Sequence, residues 1–179
     1  MKTIEYELYQ DKILGGLLGI SAGSRYGAHF AGRRSFTMAP LPDLQQLPNL
    51  GTANQNLMML FLILAGQKGA RLRESDLGDL WKSHVHLTEK GFGIVRRNLR
   101  LGLYPPQSGI HNNPIWCTSM EAPARAPFWG FLNPGMPEQA AFYAGIDAAI
   151  DHDGIAVDAS RFLAALTSLL YFEADIKLA

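Results

Sequence analysis

An all-α fold is predicted by three features of the chain. Apolar residues recur at helical spacing near both ends. Prolines fall where helices start or break. No stretch carries the period-two alternation of a half-buried strand. Residues 6–22 come first, with Leu8, Ile13, Leu14, Leu17, Leu18 and Ile20 at positions that predict a buried helix. Its glycines, Gly15, Gly16, Gly19 and Gly23, cost helix propensity, so their clustering predicts close approach to a neighbouring helix or a ligand. Residues 33–50 hold Pro40, Pro42 and Pro48 and read as an irregular connection, long enough to border a site.

Thr52 followed by Gln55 fits a capping box, in which hydroxyl and amide satisfy backbone donors at a helix start. The apolar run 57–65 makes that helix a buried central one and falls far short of the roughly 18 residues that suggest a membrane span. Ser75 is a suitable N-cap for a helix over 76–88, and 91–103 holds another short helix. Residues 105–114 read as loop, and the prolines at 123, 127 and 134 permit only short helices over 120–135. Pro137 fits the first position of a helix running to about 151, and a last helix covers 155–172. With no internal repeat and no linker, residues 1–179 are read as one domain.

The 179 residues are 47% hydrophobic, enough for a core, and 16 basic side chains balance 16 acidic ones. No overall field would hold nucleic acid or an anionic membrane. Cys117 is the one cysteine, which excludes an internal disulfide framework and fits a reducing compartment. The N-terminus alternates charged and apolar residues rather than forming an apolar signal core, so a cytoplasmic location is expected.

Several residue groups could carry chemistry. His84 and His86 are two apart, and on a helix that spacing points them to different sides, so they are not a ligand pair. Ser108, Gly109, Asn112 and Asn113 could present hydroxyl, amide and backbone donors to a phosphate or ribose, or simply form a turn. Trp116, Phe128 and Trp129 could stack on a nucleobase or pack a core. Glu121 is a candidate proton-transfer group or a solvated surface carboxylate. Cys117, beside Thr118 and Ser119, has no nearby signature for an activating base.

The segment Pro134-Gly135-Met136-Pro137-Glu138-Gln139-Ala140-Ala141, with Asp147-Ala148, His152-Asp153-Gly154 and Phe162-Leu163-Ala164-Ala165 after it, resembles the P-G-x-P-E-x-A-A, D-A, S-H-D-G and F-x-A-A pattern of ADP-ribosylglycohydrolases. Weaker likeness lies in residues 11–19 and in Asn98, Gly102-Leu103, Pro105-Pro106 and Ser108-Gly109. In that family a T-D-D-T-x-M-type helix start binds divalent cations, usually two magnesium ions. Here it reads Thr52-Ala53-Asn54-Gln55, which offers no carboxylate to a hard cation. Ser24 stands where the family has an Asp, and a further family carboxylate falls on Ala31. The family's closing D-x-D-T-type stretch has no counterpart, so the chain is expected to lack the C-terminal portion of the family fold, and the resemblance implies an orthogonal helical bundle like the N-terminal part of that fold.

The resemblance implies a divergent ADP-ribosylglycohydrolase-like protein that binds, and where chemistry survives hydrolyses, an ADP-ribosyl or nucleotide-like N-glycoside. It implies His152 and Asp153 as catalytic candidates. Ser24, Thr52, Asn54 and Arg125 join Ser108, Gly109 and Asn113 as ligand-binding candidates, Arg125 pairing with a pyrophosphate. No metal ligand and no cofactor are expected from this chain, and magnesium only where another polypeptide supplies ligands. Two alternatives stand beside this reading: a catalytically inactive pseudo-hydrolase serving as a ligand-binding or protein-interaction module, and a scaffold recruited to metal-independent chemistry. A bundle ending here would leave apolar faces of 57–64 and 162–172 poorly covered, which predicts a homo-oligomer or a second protein chain.

Overall fold

The computed structural model describes residues 3–32 and 52–179, and the predicted connection 33–50 lies outside the described residues. Among the described residues the chain is helical and carries no strand. It divides into two compact units, Met1–Ala53 and Asn54–Ala179.

In the first unit, helix α1 spans Tyr6–Phe30, longer than the sequence pattern suggests. Its last turn is supported by an edge-on contact between Tyr26 and Phe30, ring centres 5.0 Å apart, at the spacing that stacks side chains on one helix face. Within this unit Leu14 and Leu18 are 57% and 61% exposed, so the helix buries no apolar face by itself. Nor do its glycines admit a close neighbour, since a Cβ added to Gly15, Gly19 or Gly23 would meet no atom within 4 Å. Helical spacing identifies the helix but not whether its apolar side is covered.

Helix α2, Ala53–Lys68, begins directly after Thr52, the N-cap position expected from the sequence. Leu57, Met58, Phe61 and Leu64 are buried, whereas Met59, Leu62 and Ile63 are exposed. The continuous apolar run therefore wraps the helix while only one face is covered, which corrects the reading of a wholly buried central helix. Helix α3, Glu74–His84, starts before the proposed Ser75 cap. The Arg73 N–H donates to the Asp76 side chain at 2.9 Å, so a carboxylate inside the first turn does the capping instead of Ser75.

Helix α4 spans Lys90–Arg100, and a short helix α5, Gln107–Ile110, occupies the segment expected to be loop. The short helices α6, Glu121–Arg125, and α7, Pro127–Leu132, are joined through Ala126. Helix α8, Pro137–Ala148, has Pro at its first position as expected, and α9 spans Ile155–Leu169. Helices α8 and α9 pack along each other, with α6 and α7 laid against α9. Gly130 makes the α7 approach possible, because a Cβ there would lie 2.5 Å from Thr167 Cβ and 2.6 Å from the Ala164 carbonyl. Trp129 is the aromatic centre of this unit, stacked on Phe61 at 5.8 Å and on Tyr143 at 5.5 Å.

Candidate functional site

The turn 149–154 between α8 and α9 is tied to the segments 108–117 by several hydrogen bonds. Ser108 donates its hydroxyl to the Ile150 carbonyl at 2.7 Å, and Asn113 donates its amide to the carbonyls of Gly109 and Asp151 at 2.9 and 3.2 Å. A Cβ on Gly109 would lie 2.8 Å from both the nitrogen and the oxygen of His152. The Asp153 N–H donates to the Cys117 carbonyl at 2.7 Å. Gly154, at φ +54°, turns the chain into α9 in a conformation that favours glycine.

Asp147 and Asp151 stand one helical turn apart and would repel each other inside an apolar unit without a cation. Arg125, at the end of α6 and 0% exposed, fills that need. Its Nε and Nη2 donate to Asp147 Oδ1 at 3.1 and 3.0 Å, and Nη1 and Nη2 donate to Asp151 at 3.0 and 2.6 Å. Trp129 Nε1 donates to Asp147 at 3.0 Å, and the guanidinium lies over the Trp81 ring at 5.7 Å. Such planar, two-pronged pairing is what guanidinium provides and ammonium does not. Burial alone would raise the Asp151 carboxyl, but Arg125 and then His152 outweigh it and hold the group at about 2. For Asp147 burial prevails and pushes the carboxyl up against the pull of Arg125.

The clamp faces outward through His152. Its Nδ1 lies 2.8 Å from Asp151 Oδ1 but makes no hydrogen bond there, and its Nε2 lies 2.9 Å from Ser119 Oγ. Ser119 in turn donates to Glu121 Oε2, and Lys90 approaches Glu121 Oε1 at 3.5 Å. Burial would raise the Glu121 carboxyl, yet the bond from Ser119, its own backbone N–H and the nearby Lys90 and His152 bring it below the ordinary value. A shallow cleft of about 10 Å³, room for about one water, lies here between Phe92 and Trp116, floored by Ser119, Glu121 and His152. Polarity therefore steps outward from a sealed ion cluster to a partly buried carboxylate, with a histidine and a hydroxyl between them.

Several candidates from the sequence are placed differently. Arg125 is expected to meet a pyrophosphate, but it is enclosed and committed to two aspartates, so it positions Asp151 instead. Ser108, Gly109 and Asn113 are buried supports of the His152 turn rather than groups turned toward a ligand. Asp153 is exposed and engages the fold through its backbone. Phe128 and Trp129 are core, whereas Trp116 walls the cleft. His84 Nδ1 lies 2.8 Å from the neighbouring Ser83 hydroxyl, away from any ligand cluster. Glu121 belongs to the site rather than to solvated surface. Ser24 lies in α1 and Thr52 before α2, both in the first unit, and Asn54 stands in the first turn of α2 with its side-chain oxygen buried and unpartnered.

Residues 52–54 do not suit a magnesium ion: Ala53 offers no donor and Asn54 one neutral oxygen. No group of three or more His, Cys, Asp or Glu among the described residues is arranged to hold a metal. Sequence reasoning overlooked Ser119 and Asp151. The pairing of Asp147 with Asp151 at helical spacing is the signal that calls for a buried cation. No family model, no curated protein and no solved structure matches this chain.

Proposed function

We propose that this is a divergent ADP-ribosylglycohydrolase-like protein that binds an ADP-ribosyl or other nucleotide-like N-glycoside at the His152 cleft, using protein groups rather than dications. The observation that carries the reading is His152 itself. The residue that the family resemblance assigns to the ligand cleft lies beside Asp151 and is turned toward Ser119 and Glu121 at the floor of a shallow cleft. Trp116 offers a face for a base or sugar. Cleavage, where retained, falls to the same groups, with Glu121 orienting water and His152 handing a proton to the leaving nitrogen. A reducing, cytoplasmic setting accompanies this reading, on the strength of the lone Cys117.

Thermal unfolding with ADP-ribose and magnesium, separately and together, tests it, because a ligand that binds only the folded state raises the melting temperature by mass action. ADP-ribose alone is expected to stabilise the protein, magnesium to add nothing, and Glu121→Gln to abolish the shift. No shift at millimolar ADP-ribose would overturn the reading.

A second reading, as an interaction module, is favoured by the exposed apolar side chains Met59, Leu62 and Ile63 on α2 and Phe162 on α9. A second copy or another protein chain would cover them. No helix among the described residues is long and apolar enough to cross a membrane.

A further inference from the structure

We propose that the second unit binds a small uncharged aromatic molecule carrying one hydroxyl or amide, in the cavity between the end of α2 and the residues of α7 and α8 that face it. The cavity measures about 500 Å³, inside the roughly 300–1,000 Å³ range of small-molecule sites. Trp129 and Leu72 in its lining are enclosed, whereas Leu62 and Met136 are exposed, so it has a covered floor and an open rim. Nothing in the packing of the protein forces this space to be empty. Leu62, Ala65 and Gly66 fall on one side of α2 at helical spacing, and a Cβ added to Gly66 would meet no atom within 4 Å. Glycine inside a helix weakens it, and here no close approach calls for one, in contrast to Gly130. The missing side chain keeps the cavity open.

The lining defines the occupant. None of the lining residues carries a charge, so a charged group taken out of water there would find nothing to offset its desolvation. A pyrophosphate is thereby excluded, which sets this site apart from the His152 cleft. Two buried polar residues, Asn133 and Tyr143, bring one amide and one phenol to the cavity. Asn133 donates its Nδ2–H to the Trp129 carbonyl at 2.8 Å, which leaves the amide oxygen to accept from a ligand. Tyr143 stacks on Trp129 at 5.5 Å, so two aromatic walls are already in place and need no ordering when a ring arrives. The Met136 thioether at the rim suits an aromatic edge as well. This site does not rest on nucleotide binding: absence of an ADP-ribose effect leaves it standing, and an empty cavity leaves the nucleotide reading standing.

Isothermal calorimetry of the full chain with 2-naphthol tests it, because this phenol is uncharged at neutral pH and presents two fused rings and one hydroxyl. Saturable binding of about one molecule per chain is expected, with a dissociation constant of about 100 μM or below. Naphthalene-2-sulfonate, in which a charge replaces the hydroxyl, is expected to bind at least about tenfold more weakly. Gly66→Leu fills the cavity with a better helix former, so it should melt at or above the parent temperature and lose at least about tenfold in affinity. Amide hydrogen exchange locates the site on the unaltered chain, whatever any variant does: 2-naphthol is expected to slow exchange in residues 65–72 and 129–143 and to leave 149–154 unchanged. Absence of saturable binding, equal affinity for the sulfonate, parent affinity in a folded Gly66→Leu, or protection confined to 149–154 would each overturn the proposal.

Discussion

Asp151 Oδ1 lies 2.8 Å from Nδ1 of the very next residue, His152. Chain neighbours seldom face each other, and here the turn between α8 and α9 brings carboxylate and imidazole together because Ser108 and Asn113 hold its carbonyls in place. The consequences reach from stability to reactivity.

Removal of the buried cation should be the most damaging single change. Arg125→Met leaves Asp147 and Asp151 enclosed without their cation, and breaking a buried pair from one side costs about 3–5 kcal/mol. Urea unfolding should show the loss as a lowered midpoint with an unchanged slope. A loss of under about 1 kcal/mol would mean the cluster is hydrated rather than sealed.

Acid should unfold the protein through Asp151. Its folded carboxyl lies at about 2, below the ordinary 3.8, so the folded state keeps the charge where the unfolded chain takes up a proton. The stability it contributes is whole above about pH 4 and is lost as the pH falls toward about 2, with a slope of up to about 1.4 kcal/mol per pH unit. Glu121, also lowered, acts in the same sense, while Asp147, raised by burial, acts in the opposite one. Unfolding midpoints measured from pH 5 downward should fall less steeply in Asp151→Asn, relative to that variant's own neutral value.

Two glycine substitutions should move stability in opposite directions. Gly109→Ala drives a methyl to 2.8 Å from the His152 backbone, which is expected to cost about 1–3 kcal/mol and to displace the imidazole. Gly15→Ala on α1 meets open space and gains about 0.5–1 kcal/mol of helix propensity. Circular dichroism melting of the two variants checks both signs, and equal losses would show that α1 is covered.

Charge placed on α2 should reveal whether its open side is an interface. Ile63, 59% exposed, is expected to be covered in an assembled form, so Ile63→Glu should lower the mass seen by light scattering to that of one chain. A parent protein that is already monomeric at high concentration would count against assembly.

The helices were largely legible because proline and helical spacing are local signals: Pro137 marks the start of α8, and the prolines at 123 and 127 limit α6 and α7 to short pieces. Coverage was not legible. Leu57 and Ile63 look alike in the run, yet one is buried and the other exposed, since that depends on partners distant in sequence. His152 stood out by its motif, whereas Ser119 joins it across more than thirty positions and leaves no local mark. Arg125 read as a partner for a pyrophosphate because its two carboxylates follow more than twenty residues later, in another helix and the turn after it.

Trp129 gives the protein a built-in optical gauge. Its indole N–H ends on the Asp147 carboxylate while its ring lies in the aromatic stack, so its emission colour should track the local field of the ion cluster. Trp116, at the cleft mouth, would register an arriving molecule separately, and exchanging one indole at a time for phenylalanine would let interior and entrance be followed in a single spectroscopic titration without any attached dye.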